Sequence, residues 1–311
     1  MTDSFGREIN YLRVSVTQRC NLNCVYCGSE TPAPDALSAE QIITLVSAFA
    51  ECGFTKVRLT GGEPLMREDI CEIARGISRI DGIKKLTLTT NGVLLKKYAE
   101  QLKSAGVNAV NVSIDALDGD VYKKLTGRDR LNDVLEGIEA ARNAGISIRT
   151  NSVLIRGENE SEAQKLISLA EDSDTDVRFI ELMPFSDMAK NKDLIVTGAE
   201  LLKKFSFLRP VSGGAQSDTA RYYTADGFKG NVGFISPVSD NFCDKCNRIR
   251  LLSDGRVRPC LGHDETFDLM PFINDREKLV EEIKKAVYNK PKGHEFSCGY
   301  GNQHAMNKIG G

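Results

Sequence analysis

Length, composition and charge exclude several classes of protein. The chain has 311 residues, enough for one large α/β barrel or for two domains of ordinary size. Hydrophobic residues make up 41% of it and the net charge is −2, which gives no electrostatic basis for non-specific binding to nucleic acid or membranes. No apolar run approaches the length of a membrane span, and the first residues do not resemble a signal peptide. We therefore expect a globular protein of the cytoplasm.

The first two-thirds of the chain alternates strand-like and helix-like patterns. Strand patterns begin near Tyr11, Lys56, Lys85, Ala109, Ile146 and Asp176. Six such units predict an α/β fold with a parallel TIM-type barrel that is partial, a (βα)6 barrel, rather than a closed ring of eight. Functional sites of parallel α/β folds lie at the carboxyl ends of the strands, so we expect the site there.

Local signals mark the ends of several predicted helices. Ser38 with Gln41 forms a capping box, and Thr197 with Glu200 forms a second one. Glycines that supply a left-handed cap before the next strand are Gly53, Gly106 and Gly145. Beyond residue 197 the pattern changes to short strand-like pieces and one helix near residues 277–288. We predict two parts, residues 1–218 as the partial barrel and residues 219–311 as an α+β extension.

The nine cysteines are not expected to form a disulfide framework in a cytoplasmic chain. Six of them fall into two groups, and Cys52, Cys71 and Cys298 are scattered. Cys52 and Cys71 lie in helical patterns and fit buried apolar positions.

The first cysteine group follows the first strand pattern. Cys20, Cys24 and Cys27 have the spacing C-x₃-C-x₂-C. A cubane iron–sulfur cluster normally takes four thiolates, so three leave one iron open to an outside ligand. This is the pattern of radical S-adenosylmethionine (SAM) enzymes, in which SAM chelates the open iron. The alternative is a structural zinc site, which would need a distant fourth ligand because the first histidine is His263.

A glycine-rich turn follows the second strand pattern. It reads Gly-Gly-Glu-Pro at residues 61–64, and two glycines at a strand end let a ligand approach the backbone closely. Beside the first cysteine group, it resembles the radical SAM motif that holds the amino group of SAM. Tyr26 lies where an aromatic ring of these enzymes contacts the adenine, although it equally fits an ordinary packed aromatic residue.

The second cysteine group lies in the C-terminal part. Cys243, Cys246 and Cys260 have the spacing C-x₂-C-x₁₃-C, and His263 could complete a zinc site there. Arg248 and Arg250 alternate in a strand-like run, which puts both guanidinium groups on one face near the cysteines. Two guanidinium groups on one face suit a polyphosphate, and the alternative is a solvated strand face.

With these two groups, the whole chain resembles the GTP 3′,8-cyclase family, the first enzyme of molybdenum cofactor biosynthesis. The segments that carry the resemblance are residues 12–20, 60–64, 88–92, 111–115, 178–181, 242–250 and 306–311. The last segment ends in the double glycine typical of the family, which the resemblance places in the active site. Alone, this tail would suggest only a disordered terminus.

The resemblance implies two [4Fe–4S] clusters and a set of binding residues. Cys20, Cys24 and Cys27 would hold the catalytic cluster, and Cys243, Cys246 and Cys260 the second one, whose open iron faces guanine. The residues implied to contact SAM are Tyr26, Gly62, Ser113 and Met183. The residues implied to surround GTP are Arg13, Arg58, Thr89, Arg149, Arg178, Arg248 and Arg250.

Four of these arginines fall within or at the ends of predicted barrel strands: Arg13, Arg58, Arg149 and Arg178. Arginines there are costly unless they have anionic partners, and a triphosphate supplies them. The alternative for each is a salt bridge to a nearby carboxylate or a side chain that extends out of the barrel end.

The implied reaction is a radical cyclisation of GTP to (8S)-3′,8-cyclo-7,8-dihydroguanosine 5′-triphosphate, a lyase reaction. A 5′-deoxyadenosyl radical from SAM takes hydrogen from the ribose 3′ carbon, and the ring closes on guanine carbon 8. The resemblance also implies an external electron donor, hand-off of the product to cyclic pyranopterin monophosphate synthase, and a homodimer, with no membrane or nucleic-acid partner.

The chain departs from the family at two places. Gly28 and Ser29 stand where many members have Met-Pro, and Arg149 stands where lysine is common. A guanidinium fork and an ammonium grip phosphate differently, so the second departure affects the details of GTP binding. Two other functions stay open: a peptide-modifying radical SAM maturase, and a non-catalytic zinc protein that binds a partner.

Overall fold

A mixed sheet of twelve strands organises the protein. The computed structural model describes residues 1–28, 34–211, 219–296 and 305–310. The first six strands are β1 (Tyr11–Ser15), β2 (Lys56–Thr60), β3 (Lys85–Thr90), β4 (Ala109–Ser113), β5 (Ser147–Val153) and β6 (Asp176–Ile180). They are neighbours in that order and pair in parallel. The predicted partial barrel of six strand–helix units is confirmed.

The C-terminal third of the chain adds strands to both edges of the same sheet. These are β7 (Arg209–Pro210), β8 (Arg221–Thr224), β9 (Val232–Ile235), β10 (Arg248–Leu251), β11 (Arg256–Arg258) and β12 (Phe267–Asp268). β10 pairs in parallel with β1, and β9 pairs in parallel with β6. The extension therefore covers two strand edges that would otherwise be unpaired. The predicted division at residue 218 falls at the end of residues 212–218, outside the described ranges, and stays a prediction.

Helices connect the parallel strands and extend into the C-terminal part. They are α1 (Ala39–Glu51), α2 (Ile70–Ser78), α3 (Leu95–Ser104), α4 (Gly119–Thr126), α5 (Leu131–Asn143), α6 (Ala163–Asp172), α7 (Gly198–Lys204), α8 (Arg276–Tyr288) and α9 (Met306–Ile309). None of the helices in the described ranges is long and apolar enough to cross a lipid bilayer.

The predicted helix caps are present. The Ser38 hydroxyl accepts a hydrogen bond from the Gln41 backbone N–H at 3.1 Å, and the Gln41 side chain accepts one from the Ser38 N–H at 2.9 Å. The second capping box forms in the same way at the start of α7. Gly106 follows α3 with φ +92°, where a side chain would also meet Ser78, so this turn requires glycine.

The two faces of the parallel strands differ in chemistry. On β2, Val57 and Leu59 are fully buried in the hydrophobic core, whereas Lys56, Arg58 and Thr60 line the inside of the barrel. Strands of a parallel sheet are usually apolar on both faces, and the interior of a closed barrel is usually packed with branched apolar side chains. A polar inner face therefore indicates a binding cavity rather than a second core.

The scattered cysteines only partly follow the prediction. Cys52 is buried as predicted. Cys71 is only partly buried, because its position on α2 brings the thiol to the surface, 3.7 Å from the Gln101 side-chain oxygen on α3. Cys298 lies outside the described residues.

Candidate functional site

A cavity of about 1440 Å³ occupies the inside of the barrel. Every residue predicted from the sequence as a ligand of a cluster, of SAM or of GTP lines this cavity. Ser113 ends β4, and Met183 lies three residues beyond β6, so both predicted SAM contacts lie at the carboxyl ends of strands. The structure therefore brings together residues that are as far apart in sequence as Arg13 and Cys260.

The two cysteine groups lie at opposite ends of the strands. The first group follows the carboxyl end of β1, whereas Cys243 and Cys246 precede the amino end of β10, which runs parallel to β1. Cys260 follows β11, and β11 runs antiparallel to β10, so the β10–β11 hairpin returns the third cysteine to the same end. The cavity with its strand arginines lies between the two groups.

Burial makes the first cysteine group costly to ionise without a cation. It raises the pKa of Cys20, and it raises that of Cys24 well above the usual value for a thiol. Burial, together with the charge of Cys20, also raises the pKa of Cys27 to about 12. Three thiols that resist ionisation together need a bound cation to become thiolates, and the iron of a cluster supplies that charge.

A buried hydrogen-bond chain holds Tyr26 beside this group. The Tyr26 hydroxyl donates to Asp115 at 2.5 Å, and the other carboxylate oxygen of Asp115 accepts from the Val153 N–H at 2.8 Å. Burial raises the pKa of Asp115 to about 6, although both hydrogen bonds lower it. The sequence analysis placed Asp115 in a segment typical of the family but gave it no role. Its position just beyond β4, at the carboxyl end of a strand, was the signal that could have identified it.

The glycine-rich turn packs directly on the backbone that leads to Cys20. A side-chain carbon at Gly61 would lie 2.5 Å from the Thr17 carbonyl oxygen, and one at Gly62 would overlap the carbonyls of Gln18 and Arg19. The two glycines thus allow close approach of the chain's own backbone, and not only of a ligand. It fixes the position of the cysteine loop relative to β2.

Glu63 holds the same turn from the buried side. Its carboxylate accepts hydrogen bonds from the Leu65 N–H at 2.9 Å, the Thr90 hydroxyl at 2.7 Å and the Asn91 N–H at 2.6 Å. Burial raises its pKa to about 7 against the opposing effect of these bonds. The Asn91 side chain in turn lies 3.8 Å from the Cys20 sulfur, so the network reaches the first cysteine group.

The second cysteine group has a more positive environment. Burial raises the pKa of Cys246, but the charges of Arg248 and Lys290 outweigh it and lower the pKa to about 6. The Arg248 guanidinium lies 3.9 Å from the Cys246 sulfur and stacks over the Phe242 ring at 5.0 Å. This group therefore includes a thiol that ionises readily.

The zinc alternative finds no support in the described residues. His263 Nε2 lies 2.7 Å from the Gly293 carbonyl oxygen, which occupies one of its two ring nitrogens. Across residues 1–28, 34–211, 219–296 and 305–310, no three His, Cys, Asp or Glu side chains converge as ligands of a single metal ion. In a cubane cluster each thiolate binds a different iron, so the thiols need not converge on one point. The lack of such a set in the described residues therefore does not argue against clusters.

Arginines dominate the middle of the cavity. The strand arginines that line it are Arg13, Arg58, Arg149, Arg178, Arg221, Arg248 and Arg250, of which Arg221 lies on β8. Burial lowers the pKa of Arg13 to about 10 and lowers those of Arg178 and Arg250 as well. The Nε and one terminal nitrogen of Arg178 have no hydrogen-bond partner in the described residues. This concentration of buried positive charge favours a polyanionic ligand.

One strand arginine has the salt bridge to a carboxylate that was given as the alternative to phosphate binding. Arg149 forms a salt bridge with Asp176 at 3.2 Å, and Asp176 also accepts a hydrogen bond from the Asn231 side chain at 2.9 Å. Arg149 therefore already has a carboxylate partner, which a phosphate would have to share or displace. The predicted alternation of Arg248 and Arg250 on one face is confirmed, since Ile249 between them is fully buried.

The sequence reasoning missed three residues at the amino ends of β1 to β3: Tyr11, Lys56 and Lys85. The Tyr11 hydroxyl accepts a hydrogen bond from Arg58, and the Lys56 ammonium lies 4.6 Å from the Tyr11 ring centre. Burial raises the pKa of Tyr11, but Arg58 and Arg13 outweigh it and lower the pKa to about 7. The signal was a two-residue period, which Tyr11 and Lys56 share with Arg13 and Arg58, and which Lys85 shares with Thr89.

The C-terminal tail reaches into this cavity. The Met306 N–H donates to the Cys27 carbonyl at 3.0 Å, and the Gly310 carbonyl accepts a hydrogen bond from Arg250. Gly310 is buried, has φ +74° and would clash with Ser15 and Thr60 if it carried a side chain. The tail thus connects the cysteine loop to the arginines, while Gly311 lies outside the described residues.

Comparison with known proteins gives matches along the whole chain. The model of the Radical SAM superfamily matches residues 14–170, and the model of Molybdenum Cofactor Synthesis C matches residues 175–296. The chain is 41% identical to GTP 3′,8-cyclase of Alkaliphilus oremlandii, with 100% of both proteins covered. It is 39% identical to GTP 3′,8-cyclase of Peptoclostridium acidaminophilum, with 100% of this chain and 98% of that protein covered. The resemblance predicted from the sequence is confirmed.

Solved structures share the fold. SuiB of Streptococcus suis, solved with its precursor peptide SuiA, matches with a TM-score of 0.63 at 16% identity. The match covers 92% of this chain and 66% of the SuiB chain, so this chain spans about two thirds of that protein. At this identity the likeness concerns the fold and carries nothing about substrates.

Proposed function

Because this chain belongs to the GTP 3′,8-cyclase family of radical SAM enzymes, we propose that its cavity converts GTP to (8S)-3′,8-cyclo-7,8-dihydroguanosine 5′-triphosphate. This reaction is the first step of molybdenum cofactor biosynthesis, in agreement with the match to Molybdenum Cofactor Synthesis C. The observation that carries the proposal is the pair of cysteine groups at opposite ends of one arginine-lined cavity.

The first cysteine group binds the catalytic cluster. Cys20, Cys24 and Cys27 hold a [4Fe–4S] cluster, and the residues that contact SAM are Tyr26, Gly62, Ser113 and Met183. When bound, the cluster and SAM supply a 5′-deoxyadenosyl radical for removal of hydrogen from the ribose 3′ carbon. The buried bond between Tyr26 and Asp115 supports this assignment, since it holds the aromatic ring beside the cysteines.

The strand arginines bind the substrate. Arg13, Arg58, Arg149, Arg178, Arg248 and Arg250 surround GTP together with Thr89, whose hydroxyl accepts a hydrogen bond from Arg58 at 3.2 Å. A triphosphate carries several negative charges, which compensates the buried guanidinium groups better than water alone would. Lys56 and Lys85 add positive charge at the amino ends of the strands, where they line the same cavity.

The second cysteine group binds the second cluster. Cys243, Cys246 and Cys260 would hold it near Arg248, where it would bind the guanine base. Support comes from the Arg248 guanidinium, 3.9 Å from the Cys246 sulfur, because only thiolates ligate iron and a cation beside the sulfur stabilises the thiolate.

Positioning and exclusion of water are the tasks of the protein itself. Ring closure joins the ribose 3′ carbon to guanine carbon 8, so the substrate has to be held in one orientation. Guanidinium groups along the cavity fix the triphosphate while the second group fixes the base. Met306 and Asn307 of the C-terminal tail line the cavity, and the tail helps keep water from the reacting carbons.

The wider setting is proposed from the same family. An external donor delivers the electron for radical formation, and the product passes to cyclic pyranopterin monophosphate synthase. We place the enzyme in the cytoplasm as a homodimer with no membrane or nucleic-acid partner. All eight cysteines in the described residues are free thiols, which fits a reducing compartment.

Reconstitution under anaerobic conditions tests the function. Protein loaded with iron and sulfide is incubated with SAM, a strong reductant, and GTP, ATP or CTP in parallel. We expect 5′-deoxyadenosine and the cyclised nucleotide with GTP only, and about eight irons per chain. Cys20→Ser abolishes both products, whereas the matched control Cys71→Ser, outside both groups, keeps them. Equal product with ATP, or continued turnover by Cys20→Ser, contradicts the proposal.

A further inference from the structure

Lys290 is a buried lysine next to the second cysteine group. It lies two residues beyond α8, and only 2% of its surface is exposed. Its ammonium donates a hydrogen bond to the Pro259 carbonyl at 2.7 Å, and Pro259 immediately precedes Cys260. Lys290 therefore contacts the loop that carries the third cysteine of the group.

The charge of Lys290 lacks a carboxylate partner. In the described ranges the hydrogen-bond partner of its ammonium is the neutral Pro259 carbonyl, and none of the ion pairs there includes Lys290. Burying an ammonium without a counter-charge is costly, so a nearby anion is expected. Lys290 lines the same cavity as Cys243, Cys246 and Cys260, so the anion expected there is the second cysteine group with its cluster.

The neighbouring Arg7 is a cation with a purely structural role, and it differs from Lys290 in its partners. Its guanidinium donates to the carbonyls of Cys243, Pro291 and Lys292 at 2.7–2.9 Å, and so joins the two loops. Its own charge is neutralised by Asp3, at 2.7 Å. Arg7 therefore fixes the geometry of the loops, whereas Lys290 adds a net positive charge.

We propose that Lys290 is a positioning residue for the second cluster whose buried charge stabilises the cluster in its reduced, more negative state. The inference rests on the proposed second cluster. Three thiolates give a [4Fe–4S] cluster a net negative charge, and taking up one electron increases it. A fixed cation in a medium of low dielectric constant lowers the energy of the reduced form more than that of the oxidised form. The reduction potential of the second cluster is thereby raised.

The test uses full-length protein in which serine replaces Cys20, Cys24 and Cys27, so that the second cluster is observed alone. After anaerobic reconstitution, the cluster is titrated with titanium(III) citrate and followed by electron paramagnetic resonance. Lys290→Gln removes the charge but keeps a hydrogen-bond donor for the Pro259 carbonyl. We expect it to bind as much iron as the parent and to be reduced at least tenfold less readily, which is a shift of about 59 mV to more negative potential.

Two further variants separate charge from geometry. Lys290→Arg keeps the charge and is expected to stay near the parent potential. Lys292→Gln removes an exposed charge two residues away, where water screens it, and serves as the matched control. If the reduction potential of Lys290→Gln shifts from that of the parent by no more than the potential of Lys292→Gln does, the inference is overturned. If Lys290→Gln loses iron, retention by Lys290→Arg supports the role of charge, and loss by both overturns it.

The same experiment distinguishes the two proposals. A parent that binds no iron without the first cysteine group contradicts the second cluster itself, and with it the role of Lys290. A parent that binds about four irons but shows no response to Lys290→Gln leaves the second cluster in place and overturns only the role of the lysine.

Discussion

Replacing Gly62 with alanine tests how the glycine-rich turn positions the first cysteine group. The added carbon would lie 2.6 Å from the Gln18 carbonyl oxygen and 2.8 Å from the Arg19 carbonyl carbon. These are backbone atoms, so the contact cannot be relieved by rotating a side chain. The backbone at residues 17–19 has to move away by several tenths of an ångström, directly before Cys20.

The magnitude follows from what that movement breaks. The Gly62 N–H donates to the Thr17 carbonyl at 2.8 Å, and the Glu63 N–H donates to the Arg19 carbonyl at 2.7 Å. Overpacking costs about 1–3 kcal/mol and each of the two weakened hydrogen bonds about 1 kcal/mol, so we expect Gly62→Ala to lose about 3–5 kcal/mol of unfolding free energy. Because the cysteine loop moves with this backbone, SAM cleavage is expected to fall by about a hundredfold.

Urea unfolding of the iron-free protein measures the first effect, and the rate of 5′-deoxyadenosine formation by the reconstituted enzyme measures the second. Gly119→Ala is the matched control, since nothing lies within 4 Å of the carbon that it adds. We expect that control to be neutral or slightly stabilising because Gly119 begins α4. Stability and turnover of Gly62→Ala equal to those of Gly119→Ala would refute the steric argument.

Three further predictions concern charge. Arg178→Met removes two buried nitrogens without partners in the described ranges and also a hydrogen bond to Tyr222, so the ligand-free protein should gain about 1 kcal/mol in urea unfolding, while calorimetry should show at least about tenfold weaker GTP binding. Burial raises the pKa of Asp115 from 3.8 to about 6, so the folded state holds the proton more tightly and stability should rise as pH falls from about 6 to about 4. Asp115→Asn should lose about 2–3 kcal/mol of that pH-dependent gain, and parallel pH curves of wild type and variant would contradict it. Lys96→Ala breaks an exposed pair with Glu136, 3.0 Å apart, and should cost less than about 0.5 kcal/mol; a larger loss would contradict the expected screening.

Local sequence signals located most of the barrel. The predicted starts of five strands coincide with the observed ones, and that of β5 differs by one residue. Glycines such as Gly106 and the capping box at Ser38 act within one turn of chain, so they can be read without knowledge of the fold. Hydrophobic period, capping residues and glycines therefore suffice to predict helices and strands whose causes are local.

The partners of the edge strands could not be predicted in the same way. β1 pairs with β10, more than two hundred residues later, and nothing in either segment specifies the other. The four residues of β10 also offer too short a pattern for a parallel partner to be identified. Pairing of this kind depends on which edges the rest of the sheet leaves free.

The parts of the site that could be predicted are those whose residues recur at a fixed spacing in the sequence. Two cysteine groups and the strand arginines follow short periods in the sequence, whereas Lys290 is a single lysine after a helix and resembles any surface residue. Its burial depends on the Pro259 loop, thirty-one residues earlier in the chain. Asp115 is similar, because its role follows from a hydrogen bond to Tyr26, eighty-nine residues away.

The connection between the two edges of the barrel affects how the chain folds during synthesis. β9 completes one edge, residues 236–247 cross the open side, and β10 completes the other. Until β9 and β10 have left the ribosome, β1 and β6 each present an unpaired edge, which invites association with other nascent chains. The arginine-lined cavity is also incomplete until then, because Arg248 and Arg250 belong to β10. The complete binding cavity therefore forms only after most of the polypeptide has been synthesised.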